Sequence, residues 1–163
     1  MTARKRSGRG GERRRSLKAL SILTFTACLA GFAPRDADAH GYKLGTIAVG
    51  HIWAPPPEAN AQGLPVYGPI FNQAGTSVRL VGASTPIAQR VQFRRMSDGK
   101  ATWPETIELP PGKPIALAPW REHIWLSGLR QSIKNGDSFD LTLDFDEAGK
   151  LTVKVHVQEA AGH

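Results

Sequence analysis

Sulfur is scarce in this chain: among 163 residues there is one cysteine, Cys28, and two methionines, Met1 and Met96. A lone thiol excludes an internal disulfide, so the fold must rest on packing alone. Aromatic residues make up only 7%. No apolar run is long enough for a comfortable membrane crossing. The best stretch, from Leu17 to about Ala33, is interrupted by Lys18, Ser21 and Thr24. Helical periodicity does not stand out, and after residue 40 there is neither an internal repeat nor a low-complexity tract. No Ser/His/Asp set, paired carboxylates or phosphate-binding loop can be argued. Acids and histidines are scattered without a spacing that singles any out, so the sequence argues against an enzyme.

What the chain does have begins with a basic N-terminus. Arg4, Lys5, Arg6, Arg9, Arg13, Arg14, Arg15 and Lys18 precede the apolar run, and Ala37-Asp38-Ala39 follows it. A basic region, a short apolar region and a small-x-small site are the three parts of a secretory signal. Residues 1–39 therefore read as a signal peptide cleaved after Ala39. Arg14-Arg15-Ser16-Leu17-Lys18 loosely resembles a twin-arginine signal, but an ordinary basic region is the preferred reading. Phe25-Thr26-Ala27-Cys28 loosely resembles a lipobox, although the apolar run continues past it through Leu29 and Phe25 suits that motif poorly.

The signal carries the charge. Residues 1–39 hold 9 of the 21 Lys and Arg and 3 of the 14 Asp and Glu, leaving 12 basic and 11 acidic residues in the expected mature chain. The high isoelectric point is thus no sign of nucleic-acid binding. Nor is a stable membrane insertion expected after cleavage.

The remaining residues alternate with period two. Phe139, Leu141, Leu143 and Phe145 alternate with Asp140, Thr142 and Asp144; Leu151, Val153, Val155 and Val157 alternate with Thr152, Lys154 and His156. Each pattern is a half-buried strand, and Glu147-Ala148-Gly149-Lys150 turns one into the other. Further turns fall at Ser97-Asp98-Gly99, Pro110-Pro111-Gly112 and Asn135-Gly136-Asp137. Strands are expected near 42–49, 66–71, 77–84, 89–95, 101–109, 114–118, 122–127, 138–145 and 150–158. Pro69 marks the 66–71 strand as doubtful or an edge. Pro55-Pro56-Pro57 through Gly63 reads as an extended loop. The expected fold is all-β: one domain over residues 40–158, a β-sandwich, with a short tail at 159–163.

Several segments together resemble the PCu(A)C family of periplasmic copper chaperones. They are Ile47-Ala48-Val49-Gly50-His51-Ile52-Trp53-Ala54, Arg79-Leu80-Val81-Gly82-Ala83-Ser84, Ile107-Glu108-Leu109-Pro110-Pro111-Gly112 and His123-Ile124-Trp125-Leu126-Ser127-Gly128-Leu129. The order and spacing agree across residues 42–158. The resemblance implies a cupredoxin-like Greek-key β-sandwich in the periplasm. It also implies Cu(I) delivery toward cytochrome c oxidase, with a copper-accepting oxidase subunit or another periplasmic copper protein as partner. The family's metal motif is a His, a Met several residues later, and a distant His-x-Met. His123 matches the last His. Trp125 stands at the last Met position, Trp103 at the middle Met and Arg94 at the first His, so one of four ligands survives.

Soft Cu(I) takes thiolate, thioether or imidazole ligands. The expected mature chain offers one sulfur, Met96, just before the Asp98-Gly99 turn, as a substitute donor. Arg94 cannot ligate. It would repel Cu(I) by about 4 kcal/mol at roughly 4 Å and an effective dielectric near 20. His123 and Trp125, two apart on a strand, share a face opposite Ile124 and Leu126. His123 is expected to be accessible there, with the indole placed to cap a cation. Arg90, Arg94, Arg95 and Arg121 are a candidate patch for an acidic partner. His51 reads as structural, and His156 as outward-facing on the last hairpin. Cleavage after Ala39 would make His40 the first residue, where its α-amine and Nδ1 could chelate Cu(II). Two functions remain open: a copper-handling protein with a weakened site, or a copper-free interaction module using the Arg94/Trp103/Trp125 face.

Overall fold

In a computed structural model the structure describes residues 41–160. The signal-peptide, Cys28 and His40 expectations fall outside them. The described residues are strands and loops, with one 3-10 turn. Strands β1 (Tyr42–Leu44) and β2 (Ile47–Val49) form a hairpin. Then come β3 (Ile52–Ala54), β4 (Gly63–Val66), β5 (Gly68–Asn72), β6 (Val78–Leu80), β7 (Gly82–Ser84) and β8 (Ala88–Ser97). The second half holds β9 (Lys100–Thr102), β10 (Ile107–Leu109), β11 (Pro114–Leu117), β12 (Glu122–Leu129), β13 (Ser138–Asp144) and β14 (Lys150–Val157).

Three four-stranded sheets run in the orders β1-β2-β5-β11, β4-β12-β8-β9 and β3-β14-β13-β7, and β10 pairs with β6. The β3–β14 pairing is the one parallel ladder among the described strands; the rest are antiparallel. The period-two pattern places the core as expected. Phe139, Leu141 and Leu143 of β13, Val153, Val155 and Val157 of β14, and Ile124 and Leu126 of β12 are all buried. They join Ile47, Ile52, Leu64, Ile70, Leu80 and Leu109 in one apolar cluster. This is the all-β sandwich that the sequence predicts.

Several expected strands are broken where the chain changes partner. The 42–49 segment turns at Gly45, with φ 56°, into the β1–β2 hairpin. The 77–84 segment splits into β6 and β7, which belong to different sheets, and 101–109 splits into β9 and β10 around Trp103-Pro104. β3 and β4, which flank the expected 55–63 loop and lie mostly outside the expected strands, pair with β14 and β12.

Pro69 is a correction too: β5 is a central strand, paired with β2 and β11. Pro69 lies one step beyond the last β2 pair, Val49 with Ile70. Its carbonyl still accepts from the Gly50 N–H at 3.0 Å, and only the reciprocal donation is missing. Gly50 makes this possible, since a Cβ there would come within 2.7 Å of the Pro69 ring. Just after it, buried Asn72 satisfies all its polar atoms. Its Nδ2 donates to the carbonyls of Thr76 and Leu109, and its Oδ1 accepts from the Ala74 N–H.

Candidate metal-motif face

The four positions matched to the metal motif converge on one face of the β4-β12-β8-β9 sheet. β8 and β12 run antiparallel with His123 opposite Arg94 and Trp125 opposite Gln92. Directly opposed residues project to the same side, so Arg94 and His123 share the face away from Phe93 and Ile124. The Arg94 guanidinium carbon lies 4.3 Å from the Trp125 ring centroid and 5.8 Å from that of Trp103. Trp103 reaches it from the segment after β9. The chain thus supplies its own cation to the indole that was expected to cap a bound one. The contact is of the kind that contributes about 1–2 kcal/mol when partly desolvated. The Arg94 Nε is buried without a hydrogen-bond partner among the described residues.

The indole of Trp125 lies across β4 because residue 63 is glycine. A Cβ there would stand 2.6 Å from Cε2 and Nε1 of Trp125 and 2.4 Å from the Leu126 carbonyl oxygen. The same indole helps to enclose His123, with ring centroids 6.4 Å apart. Tyr67 meets the imidazole edge-on at 5.6 Å, and Trp53 backs Tyr67 at 5.1 Å.

The expected accessibility of His123 is therefore corrected: only 2% of the residue is exposed. Strand alternation gave the face, but the Tyr67 and Trp125 rings close over it. His123 Nδ1 lies 3.0 Å from the Arg121 carbonyl oxygen. A carbonyl only accepts, so Nδ1 carries the proton and Nε2 the lone pair. Burial lowers the pKa of the ring. The Arg121 and Ala118 carbonyls oppose that shift, and the Arg94 charge adds to it. The net shift favours the neutral ring. Burial likewise raises the Tyr67 phenol, against the pull of Arg94.

Met96 is half-buried, two residues from Arg94 on β8, and sits opposite Ala101 of β9 rather than opposite His123. The arginine patch also divides. Arg95 points to the other side of β8 and binds Glu122 on β12, its Nε donating at 2.8 Å. Arg121 lies 4.0 Å from the same carboxylate. Burial alone would raise the Glu122 pKa, but the Arg95 hydrogen bond and the charges of Arg95 and Arg121 hold it below the usual carboxylate value.

The donor set does not fit a full Cu(I) site. It offers one buried imidazole, no sulfur on the facing positions and a guanidinium where the motif has histidine. Among the described residues no three His, Cys, Asp or Glu side chains gather as a metal cluster. No helix among them is long and apolar enough to cross a membrane.

Residues 47–157 match the model of a family described as "Putative lipoprotein LpqE-like". A protein of Leifsonia xyli subsp. xyli (strain CTCB07), "Putative lipoprotein Lxx21020", is 26% identical over 157 residues, covering 91% of this chain and 93% of that protein. The fold is similar to the copper-bound PCuAC domain from PmoF2, with a TM-score of 0.66 and 26% identity over 74% of this chain and 99% of that domain. It is also similar to the solution structure of CuI-DR1885 from Deinococcus radiodurans. There the TM-score is 0.61 and the identity 19% over 79% of this chain and 87% of that one, a likeness of fold. The chain belongs to the LpqE-like family and has the cupredoxin-like β-sandwich of PCuAC domains.

Proposed function

We propose that this is an exported, copper-chaperone-like protein of PCuAC type whose metal-motif face handles Cu(I) weakly, through His123. This reading is supported by the geometry of that residue, whose Nδ1–H is fixed on the Arg121 carbonyl, which leaves Nε2 as the donor nitrogen; burial, which lowers its pKa, favours the neutral ring. A backbone carbonyl orienting a ligand histidine in this way is common at metal sites. The copper-bound domain from PmoF2, at 26% identity, supports copper as the cargo. The role carries no catalytic step. Its partner is a copper-accepting protein, an oxidase subunit or another periplasmic copper protein.

A second reading is favoured by Arg94. Its guanidinium, seated on Trp125 beside half-exposed Trp103, fills the motif face with a permanent positive charge. On this reading the domain binds a protein partner without copper. A Cu(I) competition titration under reducing conditions separates the two. Weak binding that His123→Ala abolishes supports copper handling; no binding in either form leaves the interaction module.

Export is supported by the lipoprotein descriptions of the family and of the Leifsonia protein, together with the basic and apolar N-terminal segments. A soluble periplasmic chain beginning at His40 is the preferred form. Those descriptions also favour a second form, lipid-anchored at Cys28.

A further inference from the structure

His51 and His156 lie far apart in sequence, and no local pattern joins them. The parallel pairing of β3 with β14 brings them together. Ile52 pairs with Val155 and Trp53 with His156, so Ile52 and Val155 point to the core while His51 and His156 both project outward. Their rings stack with centroids 5.3 Å apart and planes 22° from parallel. No carboxylate accompanies them: none of the ion pairs among the described residues involves either histidine.

A third residue orders the pair. His51 Nε2 lies 3.1 Å from Gln158 Oε1. The amide oxygen accepts, so Nε2 carries the proton and Nδ1 the lone pair. An imidazole whose second nitrogen donates to a carbonyl oxygen is arranged as metal-ligating histidines usually are. Bonds of about 2.0–2.1 Å from one ion to two imidazole nitrogens hold the ring centroids roughly 4.5–5 Å apart. The observed spacing is a few tenths of an ångström wider. Bringing both lone pairs onto one ion then needs rotation of the His156 ring about χ2, a broad and soft torsion in histidine. His51 is exposed and kept in place by Gln158, whereas the His156 ring makes no side-chain hydrogen bond among the described residues.

We propose that His51 and His156 form a surface site for a divalent first-row transition-metal ion, with His51 Nδ1 as one ligand and Gln158 as the residue that orients it. Two imidazole nitrogen donors suit Cu(II) best, then Zn(II), by the usual order of affinities. The site stands apart from the Arg94–His123 face, on a different sheet, and does not depend on how that face treats Cu(I).

The test uses the full chain carrying His40→Ala and His163→Ala, so that of its five histidines only His51, His123 and His156 remain. Cu(II) alone and Zn(II) alone are titrated against competing chelators, with electron paramagnetic resonance on the Cu(II) form. One equivalent of Cu(II) with nitrogen hyperfine structure is expected, bound more tightly than Zn(II). His51→Ala and His156→Ala should each lower Cu(II) affinity by at least about tenfold, and Gln158→Leu by somewhat less. His123→Ala should leave it unchanged. All three site positions are outside the core, and circular dichroism checks that the variants stay folded. Equal affinity in the parent and the His51→Ala, His156→Ala double variant would overturn the proposal. So would a Cu(II) signal that disappears with His123→Ala.

Discussion

Arg94 stands directly across the β8–β12 ladder from His123 and rests its guanidinium 4.3 Å from the centre of the Trp125 ring. A fixed cation therefore stands on the same face as the imidazole, at a position where the motif has a ligand. Tryptophan at positions 103 and 125 and arginine at 94 form one unit: two π faces and the charge between them.

Reversing this unit should restore Cu(I) binding. Arg94→His, Trp103→Met and Trp125→Met together add an imidazole and two thioethers and remove a repulsion of about 4 kcal/mol, so a gain on the order of three decades in affinity is expected. Arg94→Ala alone should give part of it. The same competition titration reads both; a triple variant no tighter than the parent would mean that the four positions do not converge on a metal.

Acid should destabilise the domain through His123. Its folded pKa lies below the ordinary 6.5, chiefly from burial. The unfolded chain therefore takes up a proton first as pH falls. The stability this group contributes is complete above the unfolded value and is lost as pH drops toward the folded one. Melting temperature should fall in the parent as pH drops below about 7, and the slope should be shallower in His123→Phe. Glu122 acts in a lower window. Its depressed pKa contributes stability above the ordinary 4.5 that is lost below it, and Glu122→Gln should flatten that limb.

Gly63→Ala should disturb the motif face and the fold at once. The new Cβ meets both the Trp125 indole and the Leu126 carbonyl, and overpacking of this kind costs about 1–3 kcal/mol. A chemical denaturation curve measures the loss, and tryptophan fluorescence should report the displaced indole. Asn72→Ala should cost about 3 kcal/mol, because two carbonyls and one N–H lose their buried partner. A variant within 0.5 kcal/mol, roughly the spread of neutral surface changes, would show that solvent replaces them.

Mass spectrometry of the exported protein should give a chain beginning at His40, and a lipid-modified chain beginning at Cys28 would establish the anchored form. If the terminus is free at His40, its amine and imidazole should add a Cu(II) site that acetylation or one extra preceding residue removes. Cu(II) that remains bound after such blocking is expected at His51 and His156.

Period-two alternation in residues 138–157 and 122–127 placed Leu141, Val153, Ile124 and Leu126 in the core, because a sheet with one buried face leaves no other register. The same alternation put His123 and Trp125 on one face, and the resemblance named Arg94 and Trp103 as their companions. It could not say that His123 is covered. That depends on Tyr67 folding over from the β4–β5 connection and on the absence of a side chain at Gly63, and neither follows from a local pattern. Pro69 misled for a related reason. A proline excludes one ladder bond, and only the tertiary pairing shows that the bond in question falls where β2 has already ended.

By itself the sequence determined the all-β class, the inward and outward sides of its longest strands, and the loss of sulfur ligands at the motif. Each is a matter of residue type and of spacing along one segment. Tertiary structure alone decided which side chains meet. His51 and Gln158, 107 positions apart, touch because β3 lies parallel to β14, and Arg94 reaches Trp125 because β8 lies antiparallel to β12. Strand partners are chosen by how all the apolar faces are buried together, and that choice is a property of the whole core rather than of any stretch of the chain.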